Sequence, residues 1–199
     1  LDIRWIYGTE SVISCTITPA QLEDVLVSEN PAAVYVTSPD YLGNIADIKS
    51  LSAVCKKHGV LLLVDNAHGA YLRFLPAPMH PMQLGADICC DSAHKTLPVL
   101  TGGAYLHIAH GTPDMLAQRA ESAMALFAST SPSYLILQSL DAMNPLLATS
   151  FPAQLKACAE RLDTLKAKLR AHGYALCGEE RTKLCLLPKS FGYTGTALA

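Results

Sequence analysis

The sequence predicts an α/β fold: a three-layer, mostly parallel sheet with helices on both faces, followed by the start of a small α+β C-terminal domain. Two observations predict this class. Apolar runs alternate with amphipathic stretches up to residue 65, in the β-α-β-α-β order of parallel strands joined by helices. The runs are also apolar throughout, as at residues 60–64, which is typical of strands that are covered on both faces.

Capping residues mark the helix boundaries in this region. Thr18 is the expected cap of the first helix, Pro19 its first helical residue, and Gln21 completes a capping box. Gly59 follows the second helix, where a glycine commonly ends one. The expected elements are strands at 3–7, 32–36, 60–65, 86–90 and 102–108, and helices at 19–29 and 47–57.

The remaining elements follow from spacing and periodicity. The strand at 102–108 begins too soon after Lys95 for a helical crossover, so it should run antiparallel to its neighbour. Residues 79–83 are expected to form a Pro-flanked loop. Helices are then expected at 114–126, 134–147 and 152–172, and short strands at 174–177 and 183–187. In the longest helix the apolar residues repeat at helical spacing and predict its buried face: Leu155, Cys158, Leu162, Leu165 and Leu169.

Composition excludes several classes of function. Half of the 199 residues are hydrophobic and 16% are charged, which predicts a globular protein with a large core. A net charge of −2 leaves no basic stripe for nucleic acid. No apolar run approaches the ~20 residues of a membrane span, and no secretory signal is visible. We therefore expect a cytoplasmic protein without nucleic-acid or membrane partners. Seven cysteines without a CxxC pair indicate reduced thiols, and the histidines lack metal-ligand spacing, so no metal is expected.

Two polar clusters follow apolar runs and carry the chemistry. Residues 91–96 (DSAHKT) follow the run at 86–90, and Asp65 ends the run at 60–64. Parallel strands deliver such side chains to one crevice at their carboxyl ends. A Lys95 amine there can form a Schiff base with pyridoxal phosphate, and a carboxylate can keep the cofactor's ring nitrogen protonated. Spacing alone is equally compatible with a solvated lysine and an aspartate that caps a helix.

Two stretches resemble the fold-type I pyridoxal-phosphate enzymes, and most nearly the bacterial ornithine/lysine/arginine decarboxylase family. They are residues 64–74 (VDNAHGAYLRF) and 91–108 (DSAHKTLPVLTGGAYLHI). Shorter stretches at 36–43, 129–134 and 191–195 agree with the family in order and spacing. The resemblance therefore covers nearly the whole chain, and its most specific part is Ser-Ala-His-Lys-Thr.

The resemblance implies roles for the residues nearest the cofactor ring. Lys95 would hold pyridoxal 5′-phosphate as an aldimine, and Asp65 would pair with the ring nitrogen. Ala67 would lie against one face of the ring, and Ser38 near the ring hydroxyl. His68 is either catalytic or a structural histidine, and both interpretations stay open.

The resemblance also implies a shared site in a homodimer. Ser92 and His94 would contact the phosphate of the subunit's own cofactor. Thr130 and Ser131 would reach the phosphate of the neighbouring subunit. Pro132 and its serine and threonine neighbours would equally suit the start of the next helix, and both interpretations can hold together.

The implied organisation is that of a piece of a longer protein, because the chain begins at Leu1 inside a strand-like run. Residues 1–150 would form a large cofactor-binding domain without its N-terminal part, which in the family carries a Gly-rich phosphate-binding turn. Residues 151–172 would form a linking helix, and 173–199 the start of the small C-terminal domain.

The function implied is decarboxylation of a basic amino acid, which would place the protein in amino-acid or polyamine metabolism. Lysine, ornithine and arginine are all open as substrates. A different fold-type I reaction remains an alternative, such as that of an aminotransferase, an aldolase or a C–S lyase. A catalytically inactive homologue that serves as a binding or regulatory subunit is a further alternative.

Overall fold

The computed structural model describes residues 2–8, 16–127 and 131–198. The α-helices are α1 (Pro19–Glu29), α2 (Ile48–Lys57), α3 (Pro81–Leu84), α4 (Ala93–Thr96), α5 (Asp114–Phe127), α6 (Tyr134–Ala148), α7 (Phe151–Ala171) and α8 (Gly195–Leu198). The strands are β1 (Ala33–Thr37), β2 (Leu61–Asp65), β3 (Ile88–Asp91), β4 (Tyr105–Ile108), β5 (Leu176–Cys177) and β6 (Cys185–Leu186). Two 3-10 helices lie at Ala70–Phe74 and Pro188–Phe191. None of the described helices is both long and apolar enough to cross a membrane.

The main sheet has the strand order β1-β2-β3-β4 and confirms the predicted mixed topology. Strands β1, β2 and β3 run parallel, and β4 pairs antiparallel with β3. Asp65 pairs with Thr37 on one side and with Cys90 on the other. The register therefore brings the carboxyl ends of β1, β2 and β3 together at one edge.

Helices α1 and α2 cover one face of this sheet, and both begin where the sequence predicts. Thr18 forms the predicted capping box with Gln21, and the Asp47 side chain accepts from the backbone N–H of Ser50 at the start of α2. The inward side chains of the two helices and of the strands form one core: Leu22, Leu26, Val34, Val36, Ile48, Leu51, Cys55, Leu62, Val64 and Cys89. Burying this apolar surface is the main force that holds the layer together.

Helix α5 lies against the opposite face of the sheet, over β3 and β4. An apolar cavity of about 590 Å³ separates it from Ile88, Leu106 and Ile108. No residue of α5 is buried, and Tyr35 on β1 is 67% exposed. Helices therefore flank both faces, as predicted, but the second face is covered less completely than the first.

Two expectations for local structure were wrong. Residues 3–7 form no strand, because this described segment pairs with none of the described strands. Residues 79–83 are not all loop, because His80 caps the short helix α3 and forms a capping box with Gln83. The pattern His80-Pro81-x-Gln83 repeats that of Thr18-Pro19-x-Gln21, with an imidazole nitrogen as the capping acceptor.

The inward face of α7 also differs from the one predicted. Leu155 is buried as expected, but Ala159 and Lys166 are buried too, whereas Leu165 is 42% exposed. Lys166 is accommodated because its amino group donates to the carbonyl oxygen of Glu180 at 2.6 Å. Burial therefore does not follow the leucine spacing along the whole helix.

The C-terminal segment contains the predicted pair of short strands, β5 and β6, which run antiparallel. It packs on the loop after β1, where the backbone N–H groups of Glu179 and Glu180 donate to the carbonyl oxygen of Gly43. The Lys183 amino group donates to the carbonyl oxygen of Tyr41 at 3.1 Å. These bonds attach the segment close to the carboxyl edge of the sheet.

Candidate functional site

Asp65 is the last residue of β2, and two donors orient its carboxylate. The hydroxyl of Tyr35, on the neighbouring strand, donates to Oδ2 at 3.1 Å. The backbone N–H of Ala67 donates to Oδ1 at 3.0 Å. Burial raises the pKa of Tyr35, and the nearby Asp65 charge raises it further, so the hydroxyl stays protonated at neutral pH. The carboxylate is thus held in one orientation at the edge of the sheet.

Lys95 lies in α4, the single helical turn that follows β3. Ala93 and Leu97 are buried and anchor this turn, whereas the side chain of Lys95 is exposed. Its backbone N–H donates to the carbonyl oxygen of Ser92 at 3.0 Å. Among the residues that the structure describes, no hydrogen bond or ion pair engages its amino group. The turn therefore presents an accessible primary amine.

His68 lies on the turn after Asp65 and faces charges of both signs. Burial lowers the pKa of its ring, and the positive charges of Lys183 and Lys95 lower it further, against the opposing effect of Glu180 and Asp65. The imidazole is therefore neutral at neutral pH. Asp65 ends β2, His68 lies on the turn that follows it, and Lys95 lies on the turn that follows the neighbouring strand β3, so the three residues lie at the same edge of the sheet.

Several polar atoms near Lys95 have no hydrogen-bond partner among the described residues. His94 Nδ1 lies 3.0 Å from the carbonyl oxygen of Gly103, which can only accept, so this nitrogen carries the proton. The Ser92 side chain makes no capping bond to α4. Oγ1 of Thr96 is buried and has no hydrogen-bond partner among the described residues. Two hydroxyls and the His94 Nε2 atom are thus available near the Lys95 turn.

Three of the other predicted site residues lie within the described part of the chain, and one lies outside it. Ser38 lies at the same edge and is buried, but its Oγ already accepts the backbone N–H of Ala46 at 3.0 Å. Ala67 lies on the turn after Asp65. Ser131 is exposed ahead of α6, and Thr130 lies outside the described residues.

Two features of the site escaped the sequence analysis. Tyr35 lies two residues before Thr37, the partner of Asp65, so a period of two would have placed it on the same face as Asp65. Asp91 was quoted in the motif without a role, yet it is buried and accepts hydrogen bonds from Asn66, His80 and His107. No spacing rule relates those three residues to Asp91, because they come from separate elements.

Known proteins resemble this chain in sequence. An arginine decarboxylase of Halalkalibacterium halodurans is 32% identical in an alignment of 197 positions, which covers 92% of this chain and 40% of that protein. An arginine decarboxylase of Bacillus subtilis is 33% identical in an alignment of 184 positions, which covers 85% of this chain and 37% of that protein. The chain therefore spans about two fifths of the length of these relatives.

Solved structures support the fold. A serine palmitoyltransferase from S. paucimobilis, determined with a bound PLP–myriocin aldimine, superimposes with a TM-score of 0.66 at 21% identity. The match covers 85% of this chain and 45% of that one. At this identity the likeness concerns the fold, and it confirms the predicted α/β class.

The family profile described as Orn/Lys/Arg decarboxylase, major domain, matches residues 9–177. This range contains both stretches on which the resemblance was based, and the resemblance is confirmed. The chain belongs to the Orn/Lys/Arg decarboxylase family, because this match covers residues 9–177 of its 199 residues.

Proposed function

We propose that the protein containing this chain is a pyridoxal-phosphate-dependent decarboxylase of a basic amino acid: lysine, ornithine or arginine. The observation that carries the proposal is the placement of Asp65 and Lys95 at the carboxyl ends of the adjacent parallel strands β2 and β3, with His68 on the turn after Asp65, in a chain of this family. Arginine is the first substrate to test, because two relatives are named arginine decarboxylases.

The residues at this edge fit the cofactor's functional groups. The accessible amine of Lys95 suits attachment to an aldehyde, and the oriented carboxylate of Asp65 suits a protonated ring nitrogen. The buried Thr96 hydroxyl, which lacks a partner among the described residues, and the Ser92 hydroxyl suit phosphate oxygens. When bound, the cofactor supplies a ring that accepts the electrons left behind as the carboxyl group departs.

The protein's own groups would control charge and protons around that ring. Asp65 would place its carboxylate beside the ring nitrogen, and Tyr35 holds that carboxylate in place. The neutral imidazole of His68 can take a proton from water at a ring nitrogen and pass it to the substrate carbon or to the amine of Lys95. Ala67 leaves room for a flat ring above the turn, because its side chain is a single methyl group.

We further propose that two subunits share each site. Ser131 is exposed ahead of α6, so it is accessible to a second copy of the chain. Together with Thr130 it would donate hydroxyls to the phosphate bound by the partner. This arrangement would make the homodimer the active unit.

The test uses the full-length protein with added pyridoxal phosphate. Each basic amino acid is supplied in turn, and carbon dioxide release is measured. Borohydride reduction and peptide mapping then locate the attached cofactor, which we expect on Lys95. Lys95→Ala should abolish both signals, whereas Lys49→Ala, an exposed lysine on α2, should change neither.

Other outcomes separate the alternatives. Transamination, aldol cleavage or C–S bond cleavage without carbon dioxide release would assign the same site to another reaction. A protein that binds no cofactor, or carries it on Lys49, would contradict the proposal.

A further inference from the structure

A buried carboxylate ends the strand that precedes the Lys95 turn. Asp91 is the last residue of β3 and is 3% exposed. Its Oδ1 accepts from Nδ2 of Asn66 at 2.7 Å. Its Oδ2 accepts from Nε2 of His80 at 2.9 Å and from Nε2 of His107 at 3.0 Å. Both oxygens are therefore engaged by side chains from three other segments of the chain.

These hydrogen bonds keep Asp91 ionised. Burial by itself would raise the pKa of Asp91, but the hydrogen bonds from His107 and His80 outweigh it and hold that pKa well below its ordinary value. The backbone N–H of Met82 donates to His80 Nδ1, so His80 Nε2 carries the proton that it donates to Asp91. Hydrogen bonds to an ionised acceptor are roughly twice as strong as neutral ones. Hydrogen bonds from three side chains thus hold the carboxylate of Asp91 in place.

Asn66 connects this carboxylate to the segment that carries Asp65. Its backbone N–H donates to the carbonyl oxygen of Cys90 at 2.9 Å, and its side chain donates to Asp91. Asn66 is fully buried, and its Oδ1 lies 2.0 Å from the place where a Cβ on Gly69 would stand. The side chain of Asn66 therefore packs directly against Gly69. Two bonds therefore cross between the strand ends that deliver Asp65 and Lys95.

We propose that the Asn66–Asp91 pair, held by His80 and His107, is the positioning element that fixes the distance between the Asp65 carboxylate and the Lys95 amine. This role rests on the proposed function, because the distance matters only if both groups engage one cofactor. Neither Asn66 nor Asp91 needs to touch the cofactor.

Cys89 lies close enough to His80 and Asp91 for the three to suggest a metal site. The hydrogen bonds favour positioning instead. A metal at His80 Nε2 would displace the proton that Asp91 accepts, and it would break the bond from the Met82 N–H to Nδ1. Stoichiometric zinc in the purified full-length protein, lost in His80→Gln, would overturn the positioning role.

The decisive experiment exchanges the two partners in the full-length holoenzyme. Asp91→Asn places an amide N–H of residue 91 against the amide N–H of Asn66. Asn66→Asp places two carboxylates side by side. Misplacement of catalytic groups by about 1 Å can cost about 100-fold in rate, and we expect each single variant to lose about that much in kcat at saturating cofactor.

The double variant restores an amide–carboxylate pair and leaves an amide oxygen to accept from both histidines. We expect it to recover most of the lost kcat and the visible spectrum of the bound cofactor.

A matched control is Ser52→Ala, which removes a hydrogen bond from a buried serine to the carbonyl oxygen of Gly85, at the end of α3 opposite His80 and outside the hydrogen bonds to Asp91. It should lower the melting temperature and leave kcat and the spectrum unchanged. If the single variants do not fold, His107→Gln serves instead, because that side chain is 37% exposed. We expect a smaller loss of kcat in the same direction.

The outcomes separate this proposal from the proposed function. A wild-type protein that neither binds the cofactor nor decarboxylates would remove the basis of both. An active wild type whose Asp91→Asn and Asn66→Asp variants keep full kcat would overturn the positioning role alone. Singly impaired variants without recovery in the folded double variant would also overturn it.

Discussion

At the scale of single residues, the candidate site depends on how Asp65 is held. A carboxylate at a strand end can adopt several rotamers, but here one oxygen accepts from Tyr35 and the other from the N–H of Ala67. The Tyr35 bond comes from the neighbouring strand, so the register of β1 against β2 sets it. Orientation of the anion is therefore a property of the sheet as well as of Asp65.

Asp65→Asn in the full-length enzyme should lower kcat and kcat/KM together, while the cofactor remains attached to Lys95. The neutral amide no longer stabilises a protonated ring nitrogen, so an interaction felt mainly in the transition state is lost. Steady-state kinetics and peptide mapping after borohydride reduction check the two halves of this expectation. Turnover at the wild-type rate would show that Asp65 does not serve the ring nitrogen.

Tyr35→Phe should lower kcat by about threefold to tenfold, because one hydrogen bond to a charged group contributes about 1.5–3 kcal/mol when buried and less when exposed. Asp65 keeps its second donor, so the effect should be smaller than that of Asp65→Asn. Tyr193→Phe, which removes an exposed phenol hydroxyl elsewhere, is the control. Equal kcat in both variants would mean that the Tyr35 bond is incidental.

At the scale of elements, the turn from Asn66 to Gly69 links β2 to the 3-10 helix at Ala70–Phe74. The N–H of Gly69 donates to the carbonyl oxygen of Asn66 at 2.8 Å and closes this turn. A Cβ on Gly69 would stand 2.7 Å from Leu72 Cδ1 and 2.7 Å from Pro39 Cδ, besides its clash with Asn66. Close approach, and not an unusual backbone angle, requires glycine here.

Gly69→Ala should therefore destabilise the protein, typically by about 1–3 kcal/mol for an overpacked core. It should also reduce cofactor binding, because the clash moves the turn that follows Asp65 and carries Ala67 and His68. Gly195→Ala is the matched control, since a Cβ there meets nothing within 4 Å among the described residues. Thermal unfolding and cofactor titration test both variants. An unchanged melting temperature for Gly69→Ala would contradict the packing argument.

At the scale of the whole molecule, the C-terminal segment and the sheet edge are joined around one charge cluster. Lys183 reaches the carbonyl oxygen of Tyr41, and the amides of Glu179 and Glu180 reach Gly43. His68 responds electrostatically to both Lys183 and Lys95. Movement of the C-terminal segment, which carries Lys183, would therefore change the pKa of His68 at the candidate site.

The shared site of the proposed homodimer is tested by subunit complementation. Lys95→Ala lacks the attachment point, and a Thr130→Ala/Ser131→Ala double variant lacks the hydroxyls offered to the partner. Each parent should be nearly inactive, but in mixed dimers one site keeps both an intact lysine and intact hydroxyls. Part of the activity should return in such hybrids. Proven hybrids without any recovered activity would indicate that each subunit completes its own site.

The amino-acid sequence by itself determined the features that arise from local chemistry. Alternating apolar and amphipathic runs specify the order of strands and helices, and the Thr18–Gln21 pattern specifies where α1 begins. The short connection after Lys95 requires an antiparallel β4. The Ser-Ala-His-Lys-Thr motif identified the family, because it depends on adjacent residues only. By contrast, the cap formed by His80 was missed, since an imidazole serves as a helix cap only when packing holds its ring in place.

Only the tertiary structure decided which residues support the candidate site. The bond from Tyr35 to Asp65 joins residues 30 positions apart, and the hydrogen bonds to Asp91 come from residues 25, 11 and 16 positions away. Local pattern cannot specify such partners, because each distance depends on strand register and on how α3 and β4 pack around β3. Lys166 likewise became buried because the chain folds back to offer it the carbonyl oxygen of Glu180. The sequence thus determined which chemical groups are present, and the packing of separate elements decided how those groups are held.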